Sequence, residues 1–487
     1  MALNYRAIIR ILGFIILLLG LSMIPSALVS FIYHEIDIGF AFIKIILPTA
    51  AIGTVINFKS KVKVSKLKMR EGIFVVASTW ILASLIGCLP YLATGTIDGF
   101  VNAFFESVSG FTTTGASIIE QVEALPKGIL FWRSFSQWMG GMGILVFAIS
   151  VLPVLGISGH HIAKAETPGV HLSKVVPRMS DSAKILYMIY TLLTLIAILL
   201  FKLGGLNFFD SFIVSSACAA SGGLSNYDSG LSAFNSSYIE VVATFFTVLT
   251  CVNYNLYYSS IRGKWKDLFS NSELRVFMLI LFLSGIAITV NLKLSGSCDT
   301  ISESVRFGFF QTSAFLTTTG HYSANFDLWP AFSKMVLILL MIAGASSSST
   351  GGGIKIIRLI ILFKLVKRGI FMRLHPRAIV PVKVQGKTLS GEMISGVVAF
   401  LSLYAFIIVI SLLILSLEDF DFMTIISTVV SMLNNVGTGM GGVGPNGTFA
   451  IYSTLSKIYL CFLMLLGRLE LFTLLLLFTP TFWNPDR

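Results

Sequence analysis

Four short stretches of this sequence end alike. SGFTTTGAS closes one at Ser109 to Ser117, ACAASGGLS a second at Ala217 to Ser225, AFLTTTGHYS a third at Ala314 to Ser323, and MLNNVGTGMG a fourth at Met432 to Gly441. Aligned on Gly115, Gly222, Gly320 and Gly437, the turns recur about every hundred residues. Six residues before each glycine sits a small side chain: Ser109, Ser216, Ala314 and Ser431. Glycine reaches backbone angles that let consecutive carbonyls face one way. Four such turns around one axis supply rings of carbonyl oxygens that can replace the hydration shell of a monovalent cation. The threonines and serines before the glycines add hydroxyl oxygens.

Such turns need elements to hold them. Each follows a short apolar segment, near residues 100–113, 208–220, 302–317 and 421–434, too short to span a bilayer and of the length expected for a re-entrant or buried helix. Non-helical backbone is tolerated at membrane depth only where it is packed in protein or lines a watery cavity. The partially negative C-terminal ends of four short helices directed at one axis would favour a cation there. Around them, apolar runs long enough to cross lie near 11–33, 38–58, 71–94, 129–155, 183–203, 238–260, 275–293, 394–417 and 454–478; another, 332–345, resumes at 354–366. The expected fold is an all-α integral membrane protein. Four pseudo-repeats of helix, pore helix, filter loop and helix surround one central pore, preceded by an N-terminal transmembrane hairpin over residues 1–68. The repeats fall at 69–178, 179–268, 269–385 (with the interrupted second helix) and 386–487.

Composition agrees. Of 487 residues, 55% are hydrophobic and 12% charged, with a mean hydropathy of +0.86; soluble proteins carry about 25% charged residues. An ordinary soluble enzyme, a disordered chain and a disulfide scaffold are excluded. The net charge of +12 reflects basic loops rather than nucleic-acid binding. Lys59, Lys61, Lys63, Lys66, Lys68 and Arg70 form one such loop; Lys164, Lys174, Arg178 and Lys184 a second; Arg262, Lys264, Lys266 and Arg275 a third; and the stretch from Lys355 to Lys387 is the densest. Short connections on the opposite side carry Glu35, Asp37, Asp98, Asp210, Asp299, Glu303, Asp327 and Glu418 to Asp421. Basic loops stay cytoplasmic, so both termini are expected inside the cell. The five cysteines (Cys88, Cys218, Cys251, Cys298 and Cys461) are scattered and form no metal or disulfide pattern. Arg6 and Arg10 precede an apolar run too long for a signal-peptide core, which reads as a retained first span.

Other segments carry less. SSSSTGGGIK, Ser346 to Lys355, superficially resembles a phosphate cradle, but its glycine spacing is wrong and neither Ser nor Thr follows Lys355. Serine and glycine runs break helices, so the segment is either a flexible plug below the filter or a static unwound turn. Arg468 falls near the middle of the last apolar run, where a charge costs on the order of 3 kcal/mol. Glu470, two residues on, cannot share its helix face, so Arg468 is expected to look into the pore or toward another helix. His160 and His161 read as solvated loop residues and His321 as a residue of the outer mouth. Gly140, Gly141 and Gly143 are expected to serve helix packing. No nucleophile–base constellation, zinc motif or dinucleotide fingerprint is present, so no enzyme activity is expected.

Taken together, TTTGAS, NNVGTGMGGVG, SSSSTGGGIKIIR, LLGRLELFTLL and the N-terminal hairpin resemble the TrkH/TrkG/KtrB superfamily of potassium transporters, its TrkH branch in particular, over the whole chain. The resemblance implies K+ uptake across the bacterial inner (plasma) membrane. It places filter carbonyls on Thr113, Thr114, Gly115, Ala220, Ser221, Gly222, Thr318, Thr319, Gly320, Asn435, Val436 and Gly437, with K+ as the bound metal ion. It implies a gate at Ser346, Ser349, Thr350, Gly351, Gly352, Gly353 and Arg468. It also implies a homodimer among membrane lipids and a cytosolic TrkA-like regulatory partner that carries the nucleotide, this chain itself binding no cofactor. The chain departs from the family at Thr438, where a proline is usual, and at Ala220-Ser221, where two threonines would stand. A Na+- or H+-coupled K+ symporter is the competing reading. It would need an ionisable group at membrane depth, for which Glu106, expected near the outer surface, and Glu470 are the available carboxylates.

Overall fold

The computed structural model describes residues 4–60, 68–143 and 179–484. Lys61, Lys63, Lys66, His160, His161, Lys164, Lys174 and Arg178 lie outside the described residues. The outer surface is far more apolar than that of a soluble protein. Large apolar side chains such as Leu283, Phe406 and Leu413 are exposed on outward helix faces, while Ser109, Thr112, Thr317, Ser427 and Ser431 are wholly buried. Extensive apolar exposure over a polar centre is the arrangement a lipid solvent requires.

The N-terminal hairpin consists of α1 (Tyr5–Ser22), its continuation α2 (Ile24–Ile32) and α3 (Ile36–Lys59). Pro25 occupies the first turn of α2, where the missing amide costs no hydrogen bond. The first repeat runs α4 (Met69–Gly87), α5 (Leu89–Thr94), the short α6 (Phe100–Phe111) and α7 (Lys127–Gly141). The second runs α8 (Met179–Leu203), the short α9 (Phe208–Ala220), α10 (Ser237–Thr250) and α11 (Tyr254–Ile261), followed by α12 (Trp265–Ser270). The third comprises α13 (Ser272–Leu294), the short α14 (Ile301–Leu316), α15 (Ala331–Ala343) and α16 (Ile356–Leu374). A two-stranded hairpin, Lys383–Val384 with Lys387–Thr388, turns at Gln385 and Gly386, both at positive φ as a two-residue hairpin demands. The fourth repeat has α17 (Gly391–Leu415), the short α18 (Phe422–Asn434), α19 (Thr454–Arg468) and α20 (Phe472–Leu475).

Side chains start three of the short helices. Asn207, Thr300 and Asp421 accept amide hydrogens from Asp210, Glu303 and Thr424, respectively, satisfying donors that the helix itself leaves open. Hydrogen bonds from the Thr424 hydroxyl and amide hold the Asp421 carboxyl below its usual range.

The second long helix of every repeat breaks. Sequence hydropathy assigns an interruption to the third repeat alone, at Ser346 to Gly353. In the structure α7 stops at Gly141, with residues 144–155 of the expected span outside the described residues. The expected span 238–260 bends by 86° between α10 and α11, and 454–478 bends by 115° after Arg468. A hydropathy window averages over these breaks, since the residues on both sides are apolar. What holds them open are tertiary hydrogen bonds that no local pattern displays. Orientation gives a direct test. Lys367 and Leu328 are exposed on the expected cytoplasmic and outer sides. Lys367→Cys is expected to react with a membrane-impermeant thiol reagent from the inside only, and Leu328→Cys from the outside only; reversed labelling would invert the topology.

Candidate ion filter and gate

The four turns share one backbone pattern. Thr113, Ser221, Thr318 and Asn435 occupy the left-handed region at φ of 54°, 56°, 56° and 54°. Two residues later Gly115, Gly223, Gly320 and Gly437 have φ of 81°, 72°, 69° and 90°. Between them, the amides of Thr114, Gly222, Thr319 and Val436 donate to the carbonyls of Ser109, Ala217, Ala314 and Ser431 at 2.8–3.0 Å. This corrects the register of the second turn. Its ring residues are Ser221, Gly222 and Gly223, and Ala220 is the last residue of α9, matching Thr112, Thr317 and Asn434. With two adjacent glycines the sequence allowed either register; the hydrogen bond from Gly222 to Ala217 fixes it.

The turns close a ring. A Cβ added to Gly115 would lie 1.9 Å from the carbonyl oxygen of Gly222, one on Gly223 2.0 Å from that of Thr319, one on Gly320 1.9 Å from that of Val436, and one on Gly437 2.1 Å from that of Thr114. Each turn therefore rests its glycine on the middle carbonyl of the next, and the fourth rests on the first. Side chains reinforce the closure. The Asn435 Nδ2 donates to Thr114 Oγ1 and to the Met464 carbonyl, both at 2.9 Å. The Thr112 and Thr114 hydroxyls pair at 2.7 Å, and those of Thr317 and Thr319 at 2.8 Å.

Polar side chains on the short helices brace the chain beyond each glycine. Glu106 is fully buried on α6, pairs with buried Arg133 of α7 at 2.6 Å, and accepts from the Ser117 hydroxyl and the Ile118 amide. Arg133 also donates to the Ser225 carbonyl of the second turn at 2.8 Å. At the position equivalent to Glu106, Gln311 donates to the His321 carbonyl at 3.1 Å. In the fourth repeat Ser427 both donates to the carbonyl and accepts from the amide of Met440. The sequence offered Glu106 only as an isolated carboxylate; nothing in spacing revealed its arginine, 27 residues away.

On the side of the turns' leading residues lies the segment from Gly344 to Lys355, fastened at many points. Its Ser346 amide donates to the Cys251 carbonyl, and the Ser347 amide and hydroxyl donate to Glu273 at 2.7 and 2.8 Å. Ser349 bonds within the loop to the Ser346 carbonyl. Thr350 and Ser221 share a hydrogen bond at 2.8 Å, and the Gly352 amide donates to Thr318 Oγ1 at 2.6 Å. Gly351 and Gly352 lie so close to the turns that a Cβ would fall 2.8 Å from the Thr317 carbonyl oxygen and 2.2 Å from that of Asn434. The loop thus closes directly onto the second and third turns. Gly353 has φ of +77° and bends the chain back toward α16.

Arg468 ends α19 and reaches across the break. Its guanidinium donates to the carbonyls of Thr350 at 3.1 Å, Gly141 at 2.8 Å and Gly140, and lies over the Trp80 ring. It thereby satisfies the open C-terminal carbonyls of α7 while holding the loop. Gly140 and Gly141, expected only to pack helices, supply acceptors here. Glu470 pairs instead with Arg358, which also lies 4.0 Å over the Phe400 ring and donates to the Ile354 carbonyl. Lys355 Nζ donates to the Gly351 carbonyl. Lys355, Arg358 and Arg468 against Glu470 and Glu273 leave this face of the turns with a net positive charge.

On the far side of the ring opens a cavity of about 390 Å³. Gly115, Gly223, Gly437 and Thr438 meet it, and Glu120, Tyr227, Asp228 and Tyr322 are among its walls. Its carboxylates would draw cations to the mouth.

Four re-entrant turns closed into a ring, blocked on one side by a loop and open to a cavity on the other, define a multi-span membrane transport protein. A family model described as "TrkH: Cation transport protein" matches residues 38–484. The chain is 35% identical to the Trk system potassium uptake protein TrkH of Escherichia coli (strain K12), covering 99% of this chain and all of that protein. It is 34% identical to the Trk system potassium uptake protein TrkG of the same strain, over 99% of each. The crystal structure of the potassium transporter TrkH from Vibrio parahaemolyticus superposes with a TM-score of 0.89 at 33% identity, covering 99% of this chain and 100% of that one. The chain belongs to the TrkH family of cation transport proteins.

The ring geometry yields a stability test. Gly115→Ala or Gly320→Ala must push a carbonyl aside as well as strain φ, whereas Gly95, at φ of +64°, has nothing within 4 Å of an added Cβ. Gly95→Ala should cost about 1 kcal/mol for its left-handed backbone. The ring variants should lose at least about 3 kcal/mol, as overpacking adds to that strain. Melting temperatures in detergent measure the difference.

Proposed function

We propose that this chain carries K+ into the cell across the inner membrane through the ring formed by Thr113-Thr114-Gly115, Ser221-Gly222-Gly223, Thr318-Thr319-Gly320 and Asn435-Val436-Gly437. The observation that carries the reading is the cyclic contact of glycine on carbonyl, which gathers four sets of backbone oxygens around one axis. A desolvated monovalent cation is the ligand such oxygens suit, and the named relatives are potassium uptake proteins. Both termini face the cytoplasm, where the basic segment ending at Lys387 would meet a TrkA-like regulatory partner. That partner, not this chain, holds the nucleotide, and two copies of the chain assemble as a homodimer.

The segment from Gly344 to Lys355 is the gate, and Arg468 its latch. While Arg468 holds the Thr350 carbonyl, the loop stays against the turns and a fixed positive charge stands on the conduction path, where low dielectric strengthens its repulsion of a cation. Opening requires the loop to leave Ser221, Thr318 and Arg468 together. Glu106 and Glu470 are each engaged by an arginine, Arg133 and Arg358, which favours conduction over coupling through either carboxylate.

The test is reconstitution in liposomes with opposed K+, Na+ and H+ gradients. A reversal potential that follows the K+ gradient alone is expected; one displaced by the Na+ or H+ gradient would establish coupled symport. In the same assay Arg468→Ala is expected to raise K+ flux several-fold with K+/Na+ discrimination retained, because the latch is lost and the ring is not. A well-folded Arg468→Ala protein with lower flux would make Arg468 a purely structural helix cap.

A further inference from the structure

The four turns are not equivalent at their outer end. Gly115, Gly223 and Gly437 meet the cavity, but Gly320 does not; Thr438 stands there instead. The Thr438 hydroxyl donates to the Gly320 carbonyl at 2.6 Å, a short and therefore strong hydrogen bond. The residues following the glycine in the other turns are Ala116, Leu224 and His321, none with a hydroxyl and all buried. Thr438 alone at this position is partly exposed. Contact between the two turns is intimate here, since a Cβ on Gly320 would also fall 3.4 Å from the Thr438 amide nitrogen.

We propose that Thr438 sets the strength of the outermost cation site by withdrawing the Gly320 carbonyl from it. This inference rests on the K+-conducting reading above. A carbonyl oxygen holds two lone pairs. One is taken by the hydroxyl, and the hydrogen brings a positive partial charge to the same oxygen, opposing an approaching cation. The outer ring is left with the carbonyls of Gly115, Gly223 and Gly437 at full strength and a fourth that is weakened. Conduction needs each site weak enough to release its ion. A weakened outer ring lets K+ exchange with the cavity rather than lodge at the mouth, and the specificity of the pore then resides in the deeper carbonyls of Thr114, Gly222, Thr319 and Val436.

Thr438→Val keeps the branched shape and removes the hydroxyl; Thr438→Ser keeps the hydroxyl. If the hydroxyl weakens the site, the external K+ concentration for half-maximal flux in Thr438→Val falls several-fold, up to about tenfold for one hydrogen bond, with maximal flux no higher than wild type, while Thr438→Ser matches wild type. A second readout avoids transport altogether. The K+ concentration that gives half of the ion-induced rise in melting temperature in detergent should fall by the same factor. Thr438→Ala, smaller and equally without a hydroxyl, serves if the valine variant does not fold. An unchanged or raised half-saturation in the hydroxyl-free variants, or a serine variant that behaves like valine, overturns the proposal. A wild-type protein that conducts no K+ overturns the function itself, a distinct outcome.

Discussion

The contact of each ring glycine with the carbonyl of the next turn is the constraint on which the rest of this molecule depends. A side chain at any of the four positions would occupy the space of a backbone oxygen. The turns therefore approach more closely than side-chain packing permits, through direct backbone contact. Everything outside the ring serves that approach. The short helices end where the turns begin, their caps fix where they start, and Glu106, Gln311 and Ser427 hold the outgoing strands at a set distance. The exposed apolar faces of the long helices exclude water from this centre.

A second feature follows from the first. Backbone that leaves a helix inside a membrane exposes carbonyls and amides that lipid cannot satisfy. The four broken helices would multiply this cost, yet they answer one another. Arg468, at one break, satisfies Gly140 and Gly141 at another and Thr350 at a third. The Cys251 carbonyl, at the fourth, receives the Ser346 amide. The segment from Gly344 to Lys355 is thus fastened by the same otherwise unsatisfied groups that the breaks create.

Much of this was legible in the residues. The four glycine turns, the short helices before them, the hairpin outside the repeat and the Ser346 to Gly353 interruption all follow from apolar run length and spacing. The breaks after Gly141, Thr250 and Arg468 did not, because Ile239 to Thr250 and Tyr254 to Ile261 read as one hydrophobic run and only Asn253 hints at a turn. The register of the second turn was hidden for a different reason. Gly222 and Gly223 are interchangeable in sequence, and only the hydrogen bond to Ala217 separates them. Arg468 stands out in the sequence as a costly charge, but the acceptors it reaches in Thr350, Gly140 and Gly141 are carbonyls, which every residue possesses and no sequence pattern marks. Arg133 and Glu106 form a buried pair whose members stand on separate helices, beyond the reach of local spacing.

The ring also has an order in time. Its last contact joins Gly437 and Asn435 to Thr114, residues more than three hundred apart in the chain. During synthesis the first three turns enter the bilayer while the fourth is still unmade, so Thr114 waits without its neighbour and the assembly is an open arc. Contacts between such distant residues form late and slowly. An unfinished chain consequently has no closed ring until the fourth turn has been made.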